Sequence, residues 1–444
     1  MPGISDALHS SVSSLASLEH SLFLIQSNVG NASTPGYARQ DLVGVEGFNG
    51  GNSTQLRSSR DEYAEQAVRR QSSLLGKSNQ LSTLLGSVEP VFGASADSEI
   101  PKSISAFFGA VSALTANPND ARSRQLVLDQ ATSLTRTFNS AARSLQDITA
   151  EAHHQVSAGV DSVNRLASLV RDFNVKQAAN SSIANNATID ARLHDTLQQL
   201  SEFADVQVLK QNDGSISLLL GGQTALVSGQ EFFPISADLT SGPSARIVDS
   251  NGGDITSHVT GGQLSGALDS VNQYLPSYRA GLDQLASGIA DQVNLTLAAG
   301  VDSNGNPGQP LFTYQPPNLA ATLTTTGLTT ASFAAASVTA PGGNGNALAL
   351  AALETTPAIN GYSFTGFYGS LASTVGRNVA DAKDNQSVQK QLLTQAETQR
   401  NDSQGVSLDE EAIHLVQYQR AYQAAARLVS VLDSLSEITI NMIH

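Results

Sequence analysis

The sequence predicts a mainly α protein with a small β insertion: an elongated multi-domain rod, its N- and C-terminal helices paired as a coiled coil, with a long helical-bundle body. Three observations predict it. Both ends carry a seven-residue apolar repeat, Leu8, Leu15, Leu18, Leu22, Ile25 and Val29 at the start and Leu415, Tyr418, Tyr422, Ala425, Val429 and Leu432 at the finish. Such spacing lines one side of a helix and asks for a partner helix. Heptad positions also run from Ala131 through Leu134, Phe138, Leu145, Val163 and Val170 to Phe173, enough for a helix of about 55 residues spanning roughly 80 Å. Finally, apolar alternation at Val206, Val208, Ile216, Leu218 and Leu220, around Asn212-Asp213-Gly214, reads as a β-hairpin.

In chain order, the first helix covers about 4–29 and stops at Gly30-Asn31, which both tolerate left-handed dihedrals. Thr34-Pro35-Gly36-Tyr37 fits a type II turn, with proline pre-setting φ and glycine supplying a positive φ. Short extended segments follow with Leu42, Val43, Val45 and Phe48, then helices over about 61–85, 103–114, 120–179 and 189–203. In the long one, Gln155 and Gly159 occupy seam positions and predict a weak or bent stretch. Turn residues recur in the β module at Gly221-Gly222, Ser241-Gly242-Pro243 and Asn251-Gly252-Gly253. Helix returns over about 262–299, a Gly-, Pro- and Thr-rich loop fills 300–346, and helix resumes near Gly369, broken over 401–406. The division expected is 1–36 with 405–444 as a terminal assembly domain, 37–204 with 262–404 as a helical rod, and 205–261 as an inserted β module.

A second stripe lies beside the C-terminal seam: Ala424, Leu428, Val431, Leu435, Ile438 and Met442. Two adjacent stripes make a face too wide for one neighbour, so this helix is expected to pack between several others, some from other chains. Ser407-Leu408-Asp409-Glu410 fits a capping box, Ser407 at the cap and Glu410 three residues on, and Glu411 adds charge that the helix dipole favours. This acidic cluster is therefore expected to be structural rather than catalytic.

Composition narrows the function. Thirty-nine acidic against 24 basic residues give a net charge of −15, which disfavours nucleic acid and anionic membranes as partners. Cysteine is absent, so no disulfide, thiolate nucleophile or Cys-bound metal is expected. Residues 1–10 hold no Lys or Arg before an apolar run, which predicts no cleaved secretory signal. His153-His154 point about 100° apart on a helix and lack metal-ligand spacing. Asp302-Ser303-Asn304-Gly305-Asn306 opens like a calcium loop but places Pro307 and Thr313 where glycine and glutamate are needed. Gly342-Gly343-Asn344-Gly345 follows no convincing strand and is weak as a phosphate cradle. No enzyme activity and no cofactor are expected.

The turn and its flanks, Ser27-Asn28-Val29-Gly30-Asn31-Ala32-Ser33-Thr34-Pro35-Gly36-Tyr37-Ala38-Arg39-Gln40, resemble the N-terminal signature of bacterial flagellar axial proteins, the rod, hook and hook-associated group. Gly405 to Glu411, then Leu415 to Arg427 and Val431 to Leu435, resemble the C-terminal signature of the hook-associated protein 1 family. The resemblance implies a structural role at the hook–filament junction, outside the cell on the flagellum, reached by type III export. It implies as partners further copies in a ring or helical array, the flagellar hook protein, a second junction protein, and an export chaperone on the C-terminal helix from Ser407 to Ile443. Another rod- or hook-type axial protein, or a leaderless secreted adhesin or translocator, are the other readings.

Helices of this length gain most stability from packing, so the apolar ends are expected to be frayed or disordered in a lone subunit and to order on assembly. The expected assembly contacts are Leu15, Leu18, Leu22, Ile25, Leu415, Tyr422, Val429, Leu432, Leu435 and Ile438. The signature turn, with Asn31, Thr34, Pro35, Gly36 and Tyr37, is expected to set the angle between the terminal helices and the body.

Overall fold

The computed structural model describes residues 2–46, 52–93, 98–180, 186–240 and 244–441. Phe48, the Ser241-Gly242-Pro243 turn and Met442 lie outside the described residues. Helix α1 (Pro2–Asn31) leads through a turn to an antiparallel hairpin, β1 (Gln40–Glu46) and β2 (Asn52–Ser58), with Leu42 opposite Leu56. Helices α2 (Glu62–Val88), α3 (Glu99–Ala116), α4 (Ala121–Ala179) and α5 (Ala187–Phe203) follow. Local chemistry starts most of them. Asp61 caps α2 by accepting from the amides of Tyr63 and Ala64, Asp120 caps α4 through Ser123 N, and Asn186 caps α5 through Thr188 N and Ile189 N.

Strands β3 (Val206–Lys210), β4 (Ile216–Leu220), β5 (Thr224–Ser228) and β6 (Glu231–Phe232) form an antiparallel meander, and β7 (Ser236–Asp238) pairs with β8 (Arg246–Val248). The Asn212-Asp213-Gly214 turn joins β3 to β4, with Gly214 at φ +81°. The sheet lies on α4 through two asparagines that complete its backbone bonding. Asn174 accepts from Ile216 N at 2.8 Å and donates to the carbonyls of Ile216 and Gly229. Asn164 bonds both the N–H and the carbonyl of Ile235. Leu218, Leu220, Leu226 and Val227 thereby join the same apolar core as α4.

Helix α6 (Gly262–Asp269), a π-helical turn at Ser270–Tyr274 and α7 (Leu275–Ala298) return the chain to the bundle. Small pairings β9 (Gly300–Val301) with β12 (Ala336–Ser337) and β10 (Phe312–Thr313) with β11 (Thr324–Thr325), the turn α8 (Leu319–Thr322) and α9 (Gly345–Ala352) close that end. The core there is aromatic, with Phe108 stacked on Phe364 at 5.7 Å and Phe107 edge-on to Phe312 at 5.8 Å. Helix α10 (Phe364–Gln404) then runs back along α2, and α11 (Leu408–Asn441) lies along α1.

Two expectations need correcting. Helix α4 is unbroken through Gln155 and Gly159, and Gly159 is buried under Leu264: a Cβ there would sit 3.2 Å from Leu264 Cδ1. Its missing side chain admits α6 instead of weakening the rod. Helix α10 begins at Phe364, capped by Ser363, and continues to Gln404, so the break before α11 is confined to 405–407.

Candidate functional site

The terminal helices run antiparallel. Ser21, Ile25 and Asn28 of α1 line one groove with Tyr418, His414 and Glu411 of α11, in opposite chain order. Leu15, Leu18, Leu22, Leu415, Val429 and Leu432 are part-buried in the seam, and Ile25 is fully buried; Tyr422 lies at its edge. The structure thus places these eight along the α1–α11 pair within one chain. It leaves the second stripe uncovered: Leu428, Val431, Leu435 and Ile438 are 45 to 55% exposed. On α1, Val12 at 50% and Phe23 at 66% are equally bare.

The helix pair meets the body at the signature turn. Thr34 O accepts from Tyr37 N at 3.2 Å and Gly36 adopts φ +71°, as a type II turn requires. A Cβ on Gly36 would overlap the carbonyl oxygen of Ala191 on α5, so glycine is needed twice, for conformation and for space. Asn31 ties the turn to the helix end, donating to Ser27 O and accepting from Thr34 Oγ1.

At the centre stands Asn28, 1% exposed, with all four of its amide hydrogen-bonding positions used. Its Oδ1 accepts from Gln40 N and Tyr37 Oη, and its Nδ2 donates to Gln40 O and to Glu411 Oε1. One side chain therefore joins α1, the turn, β1 and α11. Glu411 is itself 4% exposed, and burial pushes its carboxyl above the usual range. A charge complementing the helix dipole does not describe it: Glu411 is an interior partner. Glu410, in contrast, is exposed and meets Arg39 at 3.3 Å, while Ser407 Oγ accepts from Glu410 N at 3.4 Å.

The body side has its own pin, Gln404 at the end of α10. Its carbonyl accepts from Arg39 N and Ser59 Oγ, its Oε1 from Asp61 N, and its Nε2 donates to Glu65 at 2.6 Å. Glu65 also holds Arg60 at 2.7 Å, and Arg60 reaches Asp190 at 2.6 Å and the carbonyl of Gly36 at 2.7 Å. His194 lies 3.7 Å from Asp190, yet burial and the nearby Arg60 and Arg69 hold it down at about 2. It is therefore neutral, and its contact with Asp190 is not an ion pair. Asn28 fell within the signature segment, but Arg60, Glu65, Asp190, His194 and Gln404 carried no spacing signal, because their partners come from distant helices.

These features define a class of protein: a subunit whose two terminal helices form one coil, pinned to a helical body and bare on its outer faces. The structure of the flagellar hook junction protein FlgK from Burkholderia pseudomallei shares the fold, with a TM-score of 0.69 over 77% of this chain and 100% of that one, at 17% identity. The chain belongs to the flagellar hook-associated protein FlgK family: the model described as the FlgK helical domain matches residues 85–312, more than half of the chain. The model described as the flagellar basal body rod FlgEFG protein C-terminal matches residues 399–442. Flagellar hook-associated protein 1 of Bacillus subtilis is 24% identical over 96% of both chains, and that of Escherichia coli 22% identical over 99% of this chain and 100% of its own. The chain is a structural component of the flagellum. No described helix is long and apolar enough to cross a membrane.

Proposed function

We propose that this chain is a structural subunit of the junction between flagellar hook and filament, assembled through its terminal helices. The carrying observation is the division of α11 into two apolar sides, one packed on α1 and one, at Leu428, Val431, Leu435 and Ile438, open. Open apolar surface of this extent is the mark of an unfinished interface. Contacts between different patches on identical subunits generate rings or helical arrays. Family membership supports the place of the array, between the hook protein on one side and a second junction protein on the other. Export to the outside of the cell, and a chaperone that covers α11 before export, complete the reading. The role is mechanical and involves no catalysis.

The test is Leu428→Ser with Leu435→Ser in the full-length chain. Both side chains already face solvent, so the thermal midpoint of the purified chain stays within a few degrees of the original. Cells carrying the variant as their sole copy make hooks but lose most filaments. Normal filament numbers would refute the reading.

A further inference from the structure

Over their middle stretches the outward faces of the two terminal helices carry opposite charge. Val12, Ala16, Glu19 and Phe23 fall on one exposed side of α1, and that helix holds no Lys or Arg. On α11, the charged residues between Glu411 and Asp433 are Arg420 and Arg427 alone, exposed among Ile413, Val416, Leu428 and Val431. Beyond its acidic first turn, the α11 face is thus an apolar strip with positive charge only, and the α1 face is an apolar strip that carries Glu19.

We propose that in the assembled array the outward face of α1 in one copy lies on the outward face of α11 in the next, with Glu19 set against Arg420 and Arg427. This deepens the assembly reading above and rests on it. Like faces repel: α11 on α11 would bring four arginines into one contact, and α1 on α1 would oppose two Glu19 carboxylates. Unlike faces attract, bury Phe23 and Val12 against Leu428 and Val431, and leave a free α11 face on the first copy and a free α1 face on the second. Such a contact is head-to-tail and propagates, whereas a like-with-like contact would stop at a dimer.

Charge exchange tests it in the full-length chain, expressed as the sole copy and normalised to the amount exported. Glu19→Arg alone, and Arg420→Glu with Arg427→Glu, each reduce the fraction of hooks bearing filaments by about tenfold. All three substitutions together restore that fraction to within about twofold of the original, because the attraction is rebuilt with its sign reversed. The purified variants keep their thermal midpoints, since every changed side chain is exposed. Unaffected single-face variants, or a triple variant as defective as either, would overturn the face pairing and leave α11 to a partner of different chemistry. The serine variants above test the need for the apolar surface itself, so the two ideas fail separately.

Discussion

Asn28 and Glu411 stand 383 positions apart in sequence and meet at 3.1 Å, where the first helix ends and the last begins. Asn28 also holds Tyr37 and both backbone groups of Gln40, so one amide joins the coil to the turn and to β1. Both partners are buried: removal of Asn28 takes the amide donor from Glu411 Oε1, and removal of Glu411 leaves one Nδ2 hydrogen of Asn28 without its acceptor.

Asn28→Ala therefore loosens the docking of the coil by about 2–4 kcal/mol, since it strands the Gln40 N–H and the Glu411 carboxyl. Hydrogen exchange detects this as lost protection at β1 and the first turns of α11, with α4 amides unchanged. Unaltered exchange in β1 and α11 would contradict the role given to Asn28.

Glu411 makes that docking sensitive to pH. Its carboxyl is raised by burial in the docked state, so docking binds a proton that the released end gives up. The stabilisation is complete below the ordinary glutamate value of about 4.3 and drains away as pH rises through the raised docked value. Glu411→Gln keeps an acceptor for Asn28 without the charge, and the pH dependence of α11 protection should flatten. A variant with the same slope as the original would assign the effect elsewhere.

His194 acts with the opposite sign and on the body. Held at about 2 when folded, it stays neutral in the native chain and takes a proton only on unfolding. Its contribution is full above the unfolded value of about 6.5 and declines below it, by up to about 1.4 kcal/mol per pH unit. Thermal midpoints recorded from pH 7.5 to 5 should fall less steeply in His194→Gln than in the original; equal steepness would remove His194 from the account.

Gly36→Ala meets both a positive φ and the Ala191 carbonyl. The expected loss is about 2 kcal/mol or more in thermal unfolding, with impaired swimming. A neutral outcome would mean that the turn and α5 shift apart at little cost.

The heptads of α1, α4 and α11 and the Asn212-Asp213-Gly214 hairpin were legible because each depends on residues close in sequence. Neither pin was. Asn28 and Gln404 are polar residues on helices, where periodicity assigns them to solvent, and only their partners on other elements make them interior. Glu411 illustrates the same limit: a negative charge in a first helical turn has a sufficient local explanation, which conceals a long-range one. Gly159 misled in the reverse direction, since a gap in an apolar repeat looks like weakness until Leu264 is seen to fill it. The attachment of the sheet through Asn164 and Asn174 lay beyond pattern reading for the same reason.

The antiparallel course of α1 and α11 also joins the first part of the chain to be synthesised to the last. Until a ribosome has passed residue 408, the apolar edge of α1 has no mate within its own chain.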